Sequence, residues 1–161
     1  MMTETDLKHL RRCVELAEIA LDKGDEPFGS MLVSADGEVL MEDHNHVADG
    51  DHTQHPEFAL ARWAAQHLSE EERANATVYT SGEHCPMCAA AHGWVGLGRI
   101  VYASSSQQLT EWLDEFGVDS SQSRVRSLPI QEVIRFTKVD GPVLELAEQV
   151  KALHRRLHQK A

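Results

Sequence analysis

Two prolines, Pro56 and Pro86, each stand at the head of a helix-forming run, and this pairing constrains the fold more than any other feature of the chain. Proline fits a helix's first turn, where its missing N–H would have no partner anyway. Glu57 to Ala64 follows the first, and Ala89, Ala90 and Ala91 lead from the second towards Trp94. His55 and Cys85 stand immediately before the two prolines, and Cys88 lies in the second helix's first turn. Thr77, Val78 and Tyr79, between the two helices, form a short β-branched and aromatic run that reads as a strand. Helix, strand and helix therefore alternate, with two helix mouths bearing chemically active side chains.

The flanking chain extends that alternation. Leu7, Leu10, Val14, Ala17 and Leu21 recur at helical spacing, and Lys23-Gly24 supplies the stop. Met31 to Val33 and Val39 to Met41 flank Asp36-Gly37, a dipeptide suited to a tight hairpin turn, and read as a strand pair. Ile100, Val101 and Tyr102 form a strand, and Leu109, Trp112, Leu113 and Phe116 a helix ended by Gly117. Val125 to Val133, interrupted by Pro129, reads as an edge strand. Pro142 precedes the stripe Val143, Leu146, Ala147, Val150, Leu153 and Leu157, predicting a C-terminal helix over about 142–158. The expectation is one domain over 1–161, of the α/β class: a three-layer α/β/α sandwich around a mixed five-stranded sheet.

Composition narrows the partners. The 161 residues are 42% hydrophobic and 25% charged, as in an ordinary water-soluble domain. No run approaches the ~20 apolar residues of a membrane span. Met1 to Asp6 lacks the basic start and apolar core of a secretory signal, so the expected location is cytoplasmic. Acidic residues outnumber Lys and Arg 26 to 15, a formal charge of -11, which repels polyanions and disfavours a nucleic-acid partner. The clustered cations, Arg11 and Arg12, Arg124 and Arg126, and Lys151, Arg155 and Arg156, read as solvated faces. Cys13 lies on the first helical stripe and reads as a small buried apolar residue.

His55, Cys85 and Cys88 supply the three nitrogen and sulfur donors of a catalytic zinc site, which leaves the fourth position for water. Cys85 and Cys88, three apart, project to one side of a helical first turn, and the helix dipole favours their thiolates. Glu57 shares the first turn after His55 and is the candidate proton shuttle, beside the metal rather than on it. Alone, the Cys-x-x-Cys pair fits a redox couple, half of a structural zinc site, or two helix-start cysteines.

Joined to the upstream His-x-Glu, the signature is that of zinc nucleobase deaminases. The chain resembles the cytidine deaminase-like superfamily, and within it the guanine, cytosine and tRNA-adenosine deaminase branch. The resemblance is carried by Pro27-Phe28-Gly29, Asn45, His55-Pro56-Glu57 and Thr80 to Cys88, continued by Trp94 and Arg99 to Ala103, roughly residues 5 to 116. It implies bound Zn2+ and hydrolytic release of ammonia from a small aminated nucleobase or nucleoside, a guanine-like or cytosine-like amidine. It also implies that Asn45 hydrogen-bonds the base or sugar, that Phe28 packs at the pocket wall, and that the protein is a homodimer. The chain departs from the family pattern at Pro56, where alanine is common, and at His84, where proline is common.

Two other readings stand beside this one. A tRNA adenosine deaminase needs cations along a groove to hold phosphates. A non-catalytic zinc-binding interaction module needs a fourth ligand, for which His84 or His52 is available, and has no use for Glu57. His44, His46 and His52, in a polar stretch, are read as solvated, and His9, His67, His92, His154 and His158 are given no role. Trp112, Asp114, Glu115 and Phe116 fit either a pocket wall or a helix core with solvated acids.

Overall fold

The computed structural model describes residues 2–159; Met1, Lys160 and Ala161, the ends of the expected domain, lie outside them. Helix α1 (Glu4–Asp22) opens with a capping box: the Thr3 hydroxyl accepts from the Asp6 N–H, and the Asp6 carboxylate accepts from the Thr3 N–H. The helix ends at Lys23, and Gly24 follows with φ +90°. Strands β1 (Gly29–Val33) and β2 (Val39–His44) pair antiparallel through the turn at Asp36-Gly37, where Gly37 takes φ +85°. Helix α2 (Pro56–His67) begins at Pro56 and is followed by the short helix α3 (Glu70–Ala74), then by strand β3 (Thr77–Gly82). Helix α4 (Pro86–Val95) begins at Pro86 and leads to strand β4 (Ile100–Ser104) and helix α5 (Ser106–Glu115). Strand β5 (Val139–Asp140) and helix α6 (Leu144–His158) complete the described chain.

The sheet has the order β2-β1-β3-β4-β5 and is mixed. β1 is antiparallel to both neighbours, whereas β3, β4 and β5 run parallel. Helices α1 and α6 pack together on one face, burying Leu10, Cys13, Ala17, Leu146 and Val150 against Met31, Tyr79 and Val101. Helix α2 covers the other face, where Leu60, Ala61 and Ala64 meet Leu32 and Val78, and α4 packs against α2. This is the expected three-layer arrangement. The α1 face comes so close to β1 that a Cβ on Gly29 would run into the Cys13 carbonyl and lie 2.5 Å from Leu16 Cβ. A side chain at that position would force strand and helix apart. Among the described residues no helix is long and apolar enough to cross a membrane.

Two element assignments are corrected. The fifth strand is Val139–Asp140, not Val125 to Val133. The earlier segment instead contains a one-turn 3-10 helix at Ile130–Glu132, capped by Pro129. Pro129 has no donor to give a ladder, and Ile130 satisfies its apolar character by burying fully beside Ala89 and Ile100. Helix α6 starts at Leu144 rather than 142, because the Val143 N–H donates to the Ala103 carbonyl and keeps the chain extended against β4 at that point.

A charged network ties α1 across the parallel strands. Asp6, 3% exposed, accepts from the Tyr79 hydroxyl at 2.6 Å and from Arg99 at 2.9 and 3.0 Å. Arg99 Nε also donates to Asp140 at 2.8 Å. The Arg99 guanidinium and the Tyr79 hydroxyl outweigh the cost of burial and hold the Asp6 carboxyl well below the usual carboxylate range.

Candidate active site

The parallel strands β3 and β4 end side by side, and the site lies beyond their carboxyl ends, where helices of an α/β sheet open a crevice. His55 is the N-terminal cap of α2 and Cys85 that of α4; both have extended backbone, with Pro56 and Pro86 as the first helical residues. The α2–α4 contact brings the two helix mouths together. His55 Nδ1 lies 3.4 Å from Cys85 Sγ and 3.5 Å from Cys88 Sγ. In a tetrahedron with Zn–S near 2.3 Å and Zn–N near 2.05 Å, a nitrogen–sulfur edge is ~3.6 Å. The two nitrogen–sulfur edges are therefore already close to those of a zinc tetrahedron. They form a potential metal-holding group to which neither His52 nor His84 belongs. Among the described residues no fourth ligand closes this group.

The electrostatics fit a dication. The Cys85 thiol is pulled down to about 4, first by the hydrogen bond with Cys88 and then, against the cost of burial, by His55. His55 is raised, chiefly by its hydrogen bond with Cys85. Cys88 is wholly buried. Protein groups alone leave two sulfurs and an imidazole sharing protons in a small space, and a dication would replace those protons.

Glu57, 6% exposed, is the second residue of α2, in its first turn. Its Oε1 accepts from the Ser30 hydroxyl at 2.9 Å and from the Thr80 hydroxyl at 2.7 Å. The two hydroxyls come from adjacent strands in register, Ser30 opposite Thr80, so the sheet fixes the carboxylate from below. Burial raises the Glu57 carboxyl, and the Thr80 hydrogen bond and His55 only partly oppose it.

A cavity of about 520 Å3 opens over this group. Phe28 lines it, as the resemblance implied, with its ring edge-on to His154 at 5.1 Å. Asn45 does not line it. Instead Asn45 lies behind Phe28, donating its N–H to the Phe28 carbonyl at 3.0 Å, and its Oδ1 accepts from Glu26 N and Val47 N. Those two bonds fix the amide's orientation and leave Asn45 Nδ2 buried with no partner. An unpaired buried donor is costly unless something completes it.

Several lining residues have no motif in the sequence: His52, Thr53, His154 and the segment Ser123 to Leu128, which carries Arg126 to the mouth. Arg126 is exposed, as read, and also edges the cavity. His154 had a legible signal. It lies four residues after Val150 on the buried stripe of α6, and is 3% exposed. The alternatives for the Trp112 to Phe116 segment resolve against a pocket wall. Trp112 is a core residue near His154, and none of the segment lines the cavity. His84, 1% exposed, lines the cavity and stands edge-on to His92.

A mixed α/β sandwich with a His-Cys-Cys group and a buried glutamate at the strand ends defines a class of zinc hydrolases. The chain belongs to the family of the cytidine and deoxycytidylate deaminase zinc-binding region, whose model matches residues 3–104. It is 34% identical over 72% of its length to the probable cytosine deaminase of Schizosaccharomyces pombe, covering 70% of that protein. The tRNA-specific adenosine deaminase of Haemophilus influenzae is 32% identical over 64% of this chain and 60% of its own. In fold it is similar to the crystal structure of a NE0047 mutant in complex with 8-azaguanine, with TM-score 0.73 and 20% identity over 98% of this chain and 85% of that one.

Replacing either thiolate leaves two ligands for a tetrahedral ion, so Cys85→Ala and Cys88→Ala are each expected to reduce zinc from about one per chain at this group to near none. Elemental analysis after gel filtration in a weak chelator measures this. Full retention in both variants would place the tightly held metal elsewhere.

Proposed function

We propose that the protein is a zinc-dependent hydrolytic deaminase of a small aminated nucleobase or nucleoside, with His55, Cys85 and Cys88 as metal ligands and Glu57 as the catalytic acid and base. The observation that carries this reading is the placement of a buried, doubly hydrogen-bonded glutamate beside a three-ligand group that opens on a cavity. A structural zinc module has no use for such a carboxylate. The ion, when bound, lowers the pKa of a water to roughly 7. Glu57 would serve as the proton carrier through the carboxylate oxygen not engaged by Ser30 and Thr80. It would deliver one proton of the attacking water to the ring nitrogen as the water oxygen adds to the amidine carbon, and would then move the remaining hydroxyl proton to the amino group, so that the carbon–nitrogen bond breaks, ammonia leaves and a carbonyl is left. The raised pKa of Glu57 suits it to hold the proton between the two transfers.

The wall supports a flat, partly apolar ligand. Phe28 offers a ring to the face of a flat base, while Asn45 is held behind that wall by its bonds from Glu26 N and Val47 N. Guanine-like and cytosine-like amidines are flat rings of that kind. Purified zinc-loaded protein, screened for ammonia release against guanine, cytosine, isocytosine, adenine, their nucleosides and aminated pterins and triazines, is expected to act on a member of this set. Release from none of them overturns the substrate class. The tRNA reading draws on relatives such as the Haemophilus enzyme, and the formal charge of -11 opposes it. A tight tRNA complex in a gel shift that weakens steeply with salt would put that reading first.

A further inference from the structure

We propose that Asp25, His44 and His46 form a second metal site, distinct from the His55, Cys85 and Cys88 group, which takes a transition-metal dication through two imidazoles and one carboxylate. One ligand atom from each of the three lies within 4.8 Å of the others. Asp25 and His44 are buried, at 7% and 8% exposure, while His46 stands at the surface. They come from separate places in the chain: Asp25 from the loop after α1, His44 from the end of β2, and His46 from the loop beyond it.

The hydrogen bonds around the two rings are those that metal-binding histidines make. His44 Nδ1 lies 2.9 Å from the Asn45 carbonyl, and His46 Nε2 lies 2.9 Å from Asp43 Oδ1. A carbonyl and a carboxylate can only accept, so each of these nitrogens carries the proton. In the neutral rings the opposite nitrogens, His44 Nε2 and His46 Nδ1, hold the lone pairs. A ligating histidine fixed from its far side by a carbonyl or carboxylate is the recurrent outer-shell arrangement of metal sites. The two rings lie 4.4 Å apart, tilted by 35°. Asp25 meanwhile accepts the Ala48 N–H on Oδ1 at 2.9 Å, which sets the direction of its second oxygen.

The donor set is two nitrogens and one oxygen, suited to zinc, cobalt or nickel rather than to calcium or magnesium. With metal–nitrogen bonds near 2.05 Å, the ligand atoms of a tetrahedral ion lie ~3.4 Å apart. Each pair therefore closes by at most ~1.4 Å on binding. His46 can make that movement, since its side chain is 48% exposed. The thiolate group, with edges of 3.4 and 3.5 Å, needs no such closure and is the tighter site. An ion here would join the loop that carries Glu26 and Phe28 to the turn that carries Asn45, and so hold one wall of the cavity.

Cobalt(II) distinguishes the two sites by spectrum. Metal-free full-length protein is expected to take two equivalents. The first gives intense near-ultraviolet thiolate-to-cobalt charge transfer, and the second adds only weak visible bands from nitrogen and oxygen ligands. Asp25→Asn and His46→Gln should each remove the second equivalent and keep the first, and Asp43→Asn should weaken the second roughly 10-fold by freeing the His46 ring. Cys85→Ala should abolish the charge transfer and keep the second equivalent. Because His46 is exposed, its variant tests the site without disturbing the core. A single equivalent in the wild type overturns the proposal. So does a second equivalent that persists in both Asp25→Asn and His46→Gln, or loss of both equivalents together in His46→Gln.

Discussion

Glu57→Gln is expected to slow ammonia release at least ~100-fold on whichever substrate the screen identifies, while zinc content and folding stay near wild type. General acid–base catalysis is worth typically ~10² to 10⁴ in rate, and here one carboxylate serves transfers from water, to ring nitrogen and to the amine. The substitution keeps the shape. A glutamine carbonyl can still accept from the Ser30 and Thr80 hydroxyls that now reach Glu57 Oε1 at 2.9 and 2.7 Å, so the α2 mouth and the His55 ligand stay in place. Steady-state kinetics, with zinc measured on the same preparation, separates the two ways of losing activity. A variant that keeps its zinc and turns over near normally removes Glu57 from the mechanism. One that loses zinc as well shows that the carboxylate supports the metal group instead of the proton traffic.

The parts of this site legible in the sequence are those whose placement is set within one helical turn. The placement of His55, Glu57, Cys85 and Cys88 at two helix mouths was legible because proline fixes where each helix starts, and the helical period then fixes which side chains share a turn. The strands with β-branched or alternating runs read correctly for the same local reason. Strand β5 did not, because two residues carry no period, and its partner is chosen by the Arg99–Asp140 ion pair and by the neighbouring β4 edge. The cavity's far wall was illegible for a different reason. Ser123 to Leu128 reaches the site through Glu83, whose carboxylate accepts from Ser106 N at 2.9 Å and Ile130 N at 2.8 Å, bonds between residues far apart in the chain. His44 was misread as solvated because a polar neighbourhood in sequence hid a strand end that the fold buries.

Acid should unfold the protein from about pH 6.5 downward, and two histidines that take no part in the proposed chemistry account for much of the effect. His154 and His92 are 3% and 1% exposed, and burial pulls each down to about 4, from an ordinary value of 6.5. For His92 the hydrogen bond with the Gly98 carbonyl, 2.8 Å away, opposes burial without overcoming it, and for His154 the nearby His158 adds to it. Both imidazoles are neutral in the folded protein at pH 7. Between about 6.5 and 4 the unfolded chain binds protons that the folded chain does not, so stability rises with pH across that window. It is complete above 6.5, declines as pH falls, and levels off near 4. At 1.36 kcal/mol per pH unit the two shifts correspond to ~3 kcal/mol for each histidine. Asp6, held low by Arg99, contributes its stability throughout this range and loses it only below the ordinary carboxylate value of 3.8. Urea midpoints of metal-free protein at pH 7.5 and 5.0 measure the decline without the loss of metal at low pH. His154→Leu, similar in volume and unable to take a proton, should still fold against Phe28 and should lose markedly less stability between the two pH values than the wild type. Equal losses in the two proteins would mean that His154 is protonated in the folded state or hydrated in solution, and that the acid sensitivity lies with other groups.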